Sequence, residues 1–212
     1  MDSNKETFDT WNNIASIYQE KFMDMDLYND TYDHVCNSID KPNAKLLEIG
    51  CGPGNITKYL LSKRADFDIF GIDIAPNMIE LAKRNNPSAN FAVMDCRQIN
   101  QLDTRFDGII AGFCLPYLTQ TETTGFISNA HTLLNEKGLI YLSFVEGEPD
   151  QSTFKTGSGG RVFFNYHKLE DIITQLHQFH FNEPNLFKVK YPVSATESDI
   201  HTILTAKKKQ TR

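Results

Sequence analysis

With 212 residues, 40% of them hydrophobic and 23% charged, the chain suits one α/β domain with a small elaboration, large enough to bury about 70% of its unfolded surface without staples. A formal charge of −6 and a pI near 5.5 argue against a nucleic-acid backbone as partner, since that binding rests on clustered Lys and Arg. Four scattered cysteines, Cys36, Cys51, Cys96 and Cys114, lack the Cys-x-x-Cys spacing of a zinc site or disulfide scaffold and fit a reducing cytoplasm.

Residues 1–6 are polar and carry no targeting pattern, and no apolar run approaches the 18 or so residues that a membrane span requires. Phe8, Trp11, Ile14, Ala15, Tyr18 and Phe22 then recur at helical spacing and predict one amphipathic helix. A second helix is expected over residues 27–39, with Asp26 as its cap and Tyr28, Tyr32, Val35 and Ile39 as its buried stripe. Both precede the first strand, so residues 1–40 read as a helical lid on a core of residues 41–212, the whole forming a single domain. The aromatic residues of this lid serve equally well as packing.

The stretch over residues 45–57 organises the rest of the chain. Leu46, Leu47 and Ile49 form a short apolar run typical of a strand buried on both faces, and Gly50, Gly52 and Gly54 come next at alternate positions. Glycines there permit a sharp turn from strand to helix and let a ligand touch the backbone. Glu48 stands within that strand, where a carboxylate is costly unless it is partnered. Asp73 closes the next apolar run, about 20 residues on, where an acid meets ribose hydroxyls in nucleotide-binding folds. Asp95 closes a third run. Helices are expected over residues 55–64 and 76–85, the latter opened by Pro76.

A fourth buried strand covers residues 108–112. Thr119 and Glu122 have the spacing of a capping box for a helix running to about residue 135 and stopped by Gly138, before a fifth strand over residues 139–145. After a helix over residues 168–179, two strand-like runs, residues 185–193 and 199–207, are joined by too short a link for a crossover and must pair antiparallel. The basic tail, residues 207–212, reads as solvated. The pattern predicts a doubly wound, mostly parallel seven-stranded sheet ending in an antiparallel hairpin, with N-terminal lid helices.

Residues 48–54 meet in full the acid-x-Gly-x-Gly-x-Gly motif of the class I S-adenosylmethionine-dependent methyltransferases, and the chain resembles that family, in its small-molecule branch. Residues 71–78 resemble its second motif, 93–95 its third and 106–112 its fourth; the likeness is good over about residues 45–145 and looser beyond. The resemblance implies S-adenosyl-L-methionine as cofactor. By the same likeness, backbone around Gly50, Cys51, Gly52 and Gly54 meets its methionine part, with Glu48 acting through the ammonium or a bridging water. Asp73 takes the ribose hydroxyls, Ile74 packs on the adenine, and Asp95 with the backbone of Cys96 reads the adenine amino group. Met78, Gly112, Phe113 and Tyr18 complete the implied cofactor set. The acceptor is then a small molecule, and the chain a monomer or homodimer.

What the fourth motif lacks narrows the chemistry. Residues 112–117 carry neither the tetrad of exocyclic-amine methyltransferases nor the Pro-Cys nucleophile of cytosine-C5 enzymes, and no acid lies in residues 111–118 to hold a metal, so none is expected. No residue is unmistakably catalytic. His167 and Tyr18 are the candidates, His167 being a helix cap as readily as a base; His177 and His180 read as helix-face residues and Arg161 as a solvated loop residue or a partner for an acidic acceptor. The alternatives are a non-catalytic cofactor-binding regulator and a nicotinamide-dependent oxidoreductase, the latter disfavoured by the terminal hairpin and by Asn55 where the dinucleotide fingerprint has its last glycine.

Overall fold

The structure is a computed structural model that describes residues 3–157, 159–194 and 196–210. Met1, Asp2, the Ser158 of the Gly-rich loop, the Ala195 of the hairpin link and the last tail residues Thr211 and Arg212 lie outside the described residues.

The chain begins with α1 (Ser3–Asn13) and α2 (Ala15–Phe22), two helices where the periodicity predicts one, because Ile14 leaves helical geometry at ψ 12°. The break separates the faces of Trp11 and Tyr18, whose rings meet edge to face at 5.6 Å. Next comes α3 (Asn29–Ser38), capped at Tyr28 with no side-chain hydrogen bond; Asp26 offers only its backbone carbonyl, to Asn29.

Strands and helices then alternate: β1 (Lys45–Ile49), α4 (Asn55–Lys63), β2 (Asp68–Asp73), α5 (Pro76–Asn85), β3 (Asn90–Val93), β4 (Phe106–Ala111), α6 (Gln120–Leu133) and β5 (Leu134–Val145). The capping box forms as expected, Thr119 accepting from the Glu122 N–H and the Glu122 carboxylate accepting from Thr119 N at 2.8 Å. Gly138 does not end α6. The helix runs straight into β5, and Lys137 takes the left-handed conformation at φ 63° beside a register shift between β4 and β5.

Where a Gly-rich loop is expected around residues 156–161, two strands pair antiparallel instead, β6 (Thr153–Gly157) and β7 (Gly160–Phe164). Finally come α7 (Leu169–Gln178), β8 (Asn185–Pro192) and β9 (Ser198–Lys207). The main sheet has seven strands in the order β3-β2-β1-β4-β5-β9-β8, parallel through β5 and antiparallel at β5–β9 and β9–β8. No described helix is long and apolar enough to cross a membrane.

Alternate residues of each strand feed two core layers. Leu47, Ile109 and Leu142 pack against α6 and α7 through Phe126, Ile172 and Leu176, while Leu46, Ile69 and Tyr141 pack against α3 and α4 through Val35 and Leu60. So α3 belongs to the core rather than to a lid. Strand order reverses between β1 and β4, and β1 pairs Ile49 with both Ile72 and Ala111. The residues leaving these strands, Gly50, Asp73 and Gly112, therefore emerge at one level, and a crevice opens above a switch point of this kind.

Candidate functional site

That crevice is a cavity of about 1020 Å³, part of it open to solvent. Its floor is the sheet end: Gly50, Gly52, Asp73, Ile74, Asp95 and Gly112. Gly52, at φ 53°, has only the Tyr18 ring within reach of an added Cβ, so bare backbone faces the cavity. Gly54, at φ 81°, starts α4 under tighter constraint, because a Cβ there would overlap the Asn86 side chain.

Asp73 accepts from Gly52 N at 2.9 Å and Ala75 N at 2.8 Å, one bond to each carboxylate oxygen. Burial pushes its carboxyl up, and these backbone donors pull the other way. A carboxylate offers about four lone-pair sites, so two donors leave it able to accept more. Asp95 is held differently. Both its oxygens accept from the Arg97 guanidinium, at 2.6 to 2.9 Å, and Arg97 also donates to Glu122 at 3.1 Å. Burial raises Asp95, but its bonds to Arg97 outweigh that and hold it below the ordinary carboxylate range.

Glu48 lies on the same face of β1 as Leu46 and meets α4, accepting a short hydrogen bond from Thr57 Oγ1; its Oε1 is buried without a partner. Burial pushes its pKa up to about 8. The folded state thus binds a proton that the unfolded chain releases near pH 4.5. The resulting stability is present below pH 4.5 and is lost as pH rises through about 8. Glu48→Gln, which keeps the acceptor for Thr57 and cannot ionise, should show a smaller fall in melting temperature between pH 5 and pH 8 than the parent. Parallel melting curves at the two pH values would show Glu48 to be ionised already if the two proteins lost stability equally.

The roof comes from outside the sheet. Phe8 and Trp11 of α1, Tyr117 of the 3-10 turn Leu115–Tyr117, and Phe163 of β7 face the floor. The α1 helix is fastened to β7: Thr10 Oγ1 donates to the Arg161 carbonyl at 2.8 Å, Phe163 N donates to Thr7 Oγ1 at 2.9 Å, and the Arg161 guanidinium pairs with Glu6 at 2.7 Å. Arg161 is therefore a half-exposed residue tied to Glu6, and not one aimed at a ligand.

Residues 46–138 match the family model described as a methyltransferase domain. These residues are somewhat under half of the chain, and over them it is similar to the methyltransferases. An uncharacterized methyltransferase of Alkaliphilus oremlandii is 25% identical over 180 residues, 82% of each chain. A putative methyltransferase of Invertebrate iridescent virus 6 is 37% identical over 82 residues, but the match spans only 31% of its length. Among solved structures, the magnesium protoporphyrin IX methyltransferase of Synechocystis PCC 6803 with bound S-adenosylhomocysteine superposes with a TM-score of 0.74, at 18% identity over 98% of this chain and all of that one, a likeness of fold.

Of the residues expected at a methyltransferase cofactor site, the cavity brings together Tyr18, Gly50, Gly52, Asp73, Ile74, Met78, Asp95, Cys96, Gly112 and Phe113. Glu48, Cys51 and Gly54 are buried and do not line it. His167 does not reach the cavity either. It is fully buried, its Nε2 donating to the Leu115 carbonyl at 2.9 Å, so Nδ1 is the acceptor for Gln120 Nε2 at 3.1 Å. Burial lowers its pKa and keeps it neutral; it anchors the turn that carries Tyr117, and Lys168 rather than His167 caps α7. His180 lies just past α7 in a left-handed conformation at φ 59°, while His177 is in its last turn. The sequence reading missed Tyr117, Phe163, Asn165 and Arg97. The aromatic density of residues 163–166 was the available signal for the hairpin's share.

Proposed function

We propose that the chain transfers a methyl group from S-adenosylmethionine to a small-molecule acceptor held between the sheet end and the roof. The observation that carries this is the meeting of Gly50, Gly52 and an Asp73 carboxylate with open lone pairs on one cavity wall. These residues fit the cofactor. The bare backbone of Gly50 and Gly52 would lie along its methionine part, Asp73 would accept from the ribose hydroxyls, and Ile74 and Met78 would pack on the adenine. Because the Asp95 carboxylate is engaged by Arg97, we assign the adenine edge to the backbone at Cys96, with Asp95 holding that segment in place. Glu48 Oε1, buried and unpartnered, is the polar atom that a bridging water would satisfy.

When bound, S-adenosylmethionine supplies a methyl group whose carbon–sulfur bond breaks as the acceptor's lone pair bonds to carbon, the bonding pair staying on sulfur. The protein's part is placement, which is worth up to roughly 7–11 kcal/mol in favourable cases, and exclusion of water by the roof. A small acceptor suits the site better than nucleic acid, because Arg97 is the one cationic side chain on the cavity wall among the described residues and two carboxylates already hold it. Titration calorimetry should show binding of S-adenosylmethionine and S-adenosylhomocysteine and none of NAD. Binding of NAD without either of the others would replace this reading with an oxidoreductase.

A further inference from the structure

We infer that the acceptor is a flat aromatic molecule whose nucleophilic atom is already free of a proton near neutral pH, either an acidic ring hydroxyl or an unprotonated ring nitrogen. This rests on the methyltransferase reading and adds the substrate class to it.

The shape follows from the roof. Trp11 meets Tyr117 edge to face, with ring centroids 5.7 Å apart and planes at 76°, and it meets Tyr18 at 5.6 Å and 90°. Phe8 and Phe163 extend the same wall. Rigid aromatic walls select a planar ring by contact area and by edge-to-face geometry. They offer nothing to a carboxylate or phosphate, since the guanidinium of Arg97 is shared between Asp95 and Glu122. Among the described residues of the roof, Trp11 Nε1 is buried beside the Tyr117 hydroxyl but makes no hydrogen bond of good geometry, and a ring oxygen or nitrogen of the acceptor would satisfy it.

The protonation state is set by the groups that surround the cavity on every side. On the floor, Asp73 is held by two backbone N–H groups and Asp95 by Arg97. Cys96 sits beside Asp95 on the sheet side, and its neighbour Cys114 is buried, with a thiol pushed well up by Cys96 and by burial. Tyr18 from α2 and Tyr117 from the turn are phenols that burial keeps protonated, so both are donors rather than bases. Glu48 is turned toward Thr57, and His167 is spent on Leu115 and Gln120 behind the turn. Among the described residues no side chain on the roof is placed to take a proton, so the acceptor must lose its own to water before transfer or carry none.

The test uses the full chain saturated with S-adenosylhomocysteine, and Trp11, the single tryptophan, as its local reporter. Pentafluorophenol and quinoline should quench Trp11 fluorescence saturably, with dissociation constants at least about tenfold below those of phenyl phosphate and succinate by calorimetry, and Phe163→Ala should erase that preference. Tighter binding of the phosphate or succinate, or no saturable quenching by either ring compound, overturns the inference while leaving cofactor binding as measured. If S-adenosylhomocysteine itself does not bind, the methyltransferase reading falls and takes this one with it. In turnover, the pH midpoints for pentafluorophenol and for a less acidic fluorophenol should differ and track each phenol's own ionisation. A shared midpoint would reveal a base on the protein and overturn the inference.

Discussion

Asp73→Ala should weaken S-adenosylmethionine binding by roughly 10- to 150-fold, the range expected when a hydrogen bond to a charged group worth about 1.5–3 kcal/mol is lost. Part of that loss has a source the ligand does not touch. The carboxylate accepts from Gly52 N and Ala75 N, so it ties the glycine loop after β1 to the end of β2. Removing it leaves two N–H groups without an acceptor, which costs about 1–3 kcal/mol each where water cannot reach them. Asp73→Asn separates the two roles, because its amide keeps one acceptor oxygen for the loop and puts a donor where the ribose hydroxyls need an acceptor. We expect the Asn variant to recover part of the melting temperature, since one of the two N–H groups regains its acceptor, and little of the affinity. Calorimetry that found full affinity in the Asn variant would make Asp73 a loop anchor only.

Asp73 also marks where sequence is informative. It was legible because its neighbours in space are neighbours in pattern: an apolar run, an acid, and a glycine loop one strand away, brought level by the register of Ile49 with Ile72. The parallel sheet and its closing hairpin were legible for the same local reason. Arg97 was not. Its guanidinium reaches Asp95 two residues back and Glu122 on α6, and only the fold sets that second distance. His167 gave a chemically suggestive residue in a suggestive place, yet its burial against Leu115 and Gln120 depends on contacts some 50 residues away in the chain. The β6–β7 hairpin hid behind its turn chemistry, since Gly and Ser read as loop whether or not strands flank them. Ile14 sits in perfect helical register by sequence, and the helix breaks there all the same.

That hairpin makes the roof testable without deleting it. Gly159 lies against Ile14, between α1 and α2, and a Cβ at this position would overlap the Ile14 side chain. Gly159→Leu should therefore push β6–β7 off α1, stretching the Thr10–Arg161 and Thr7–Phe163 bonds and moving Phe163 away from Trp11. A displacement of about 1 Å at a reacting centre is enough to cost on the order of 100-fold in rate, and that is the loss expected in turnover. Cofactor affinity should change far less, because Gly50, Gly52, Asp73 and Ile74 belong to the sheet end and not to the roof. Overpacking of this kind costs typically about 1–3 kcal/mol, or roughly 2–12 °C in melting temperature for a chain of this size, so the variant should still fold. Thr10→Val, which removes one fastening without the clash, should fall between the two. Deletion of α1 alone should reproduce the Gly159→Leu phenotype and spare the core, whose α3 layer of Tyr32, Val35 and Ile39 packs on the sheet independently. Were Gly159→Leu to turn over at the parental rate with parental affinity, α1 and the hairpin would be an appendage, and the acceptor would have to be held by the sheet end alone.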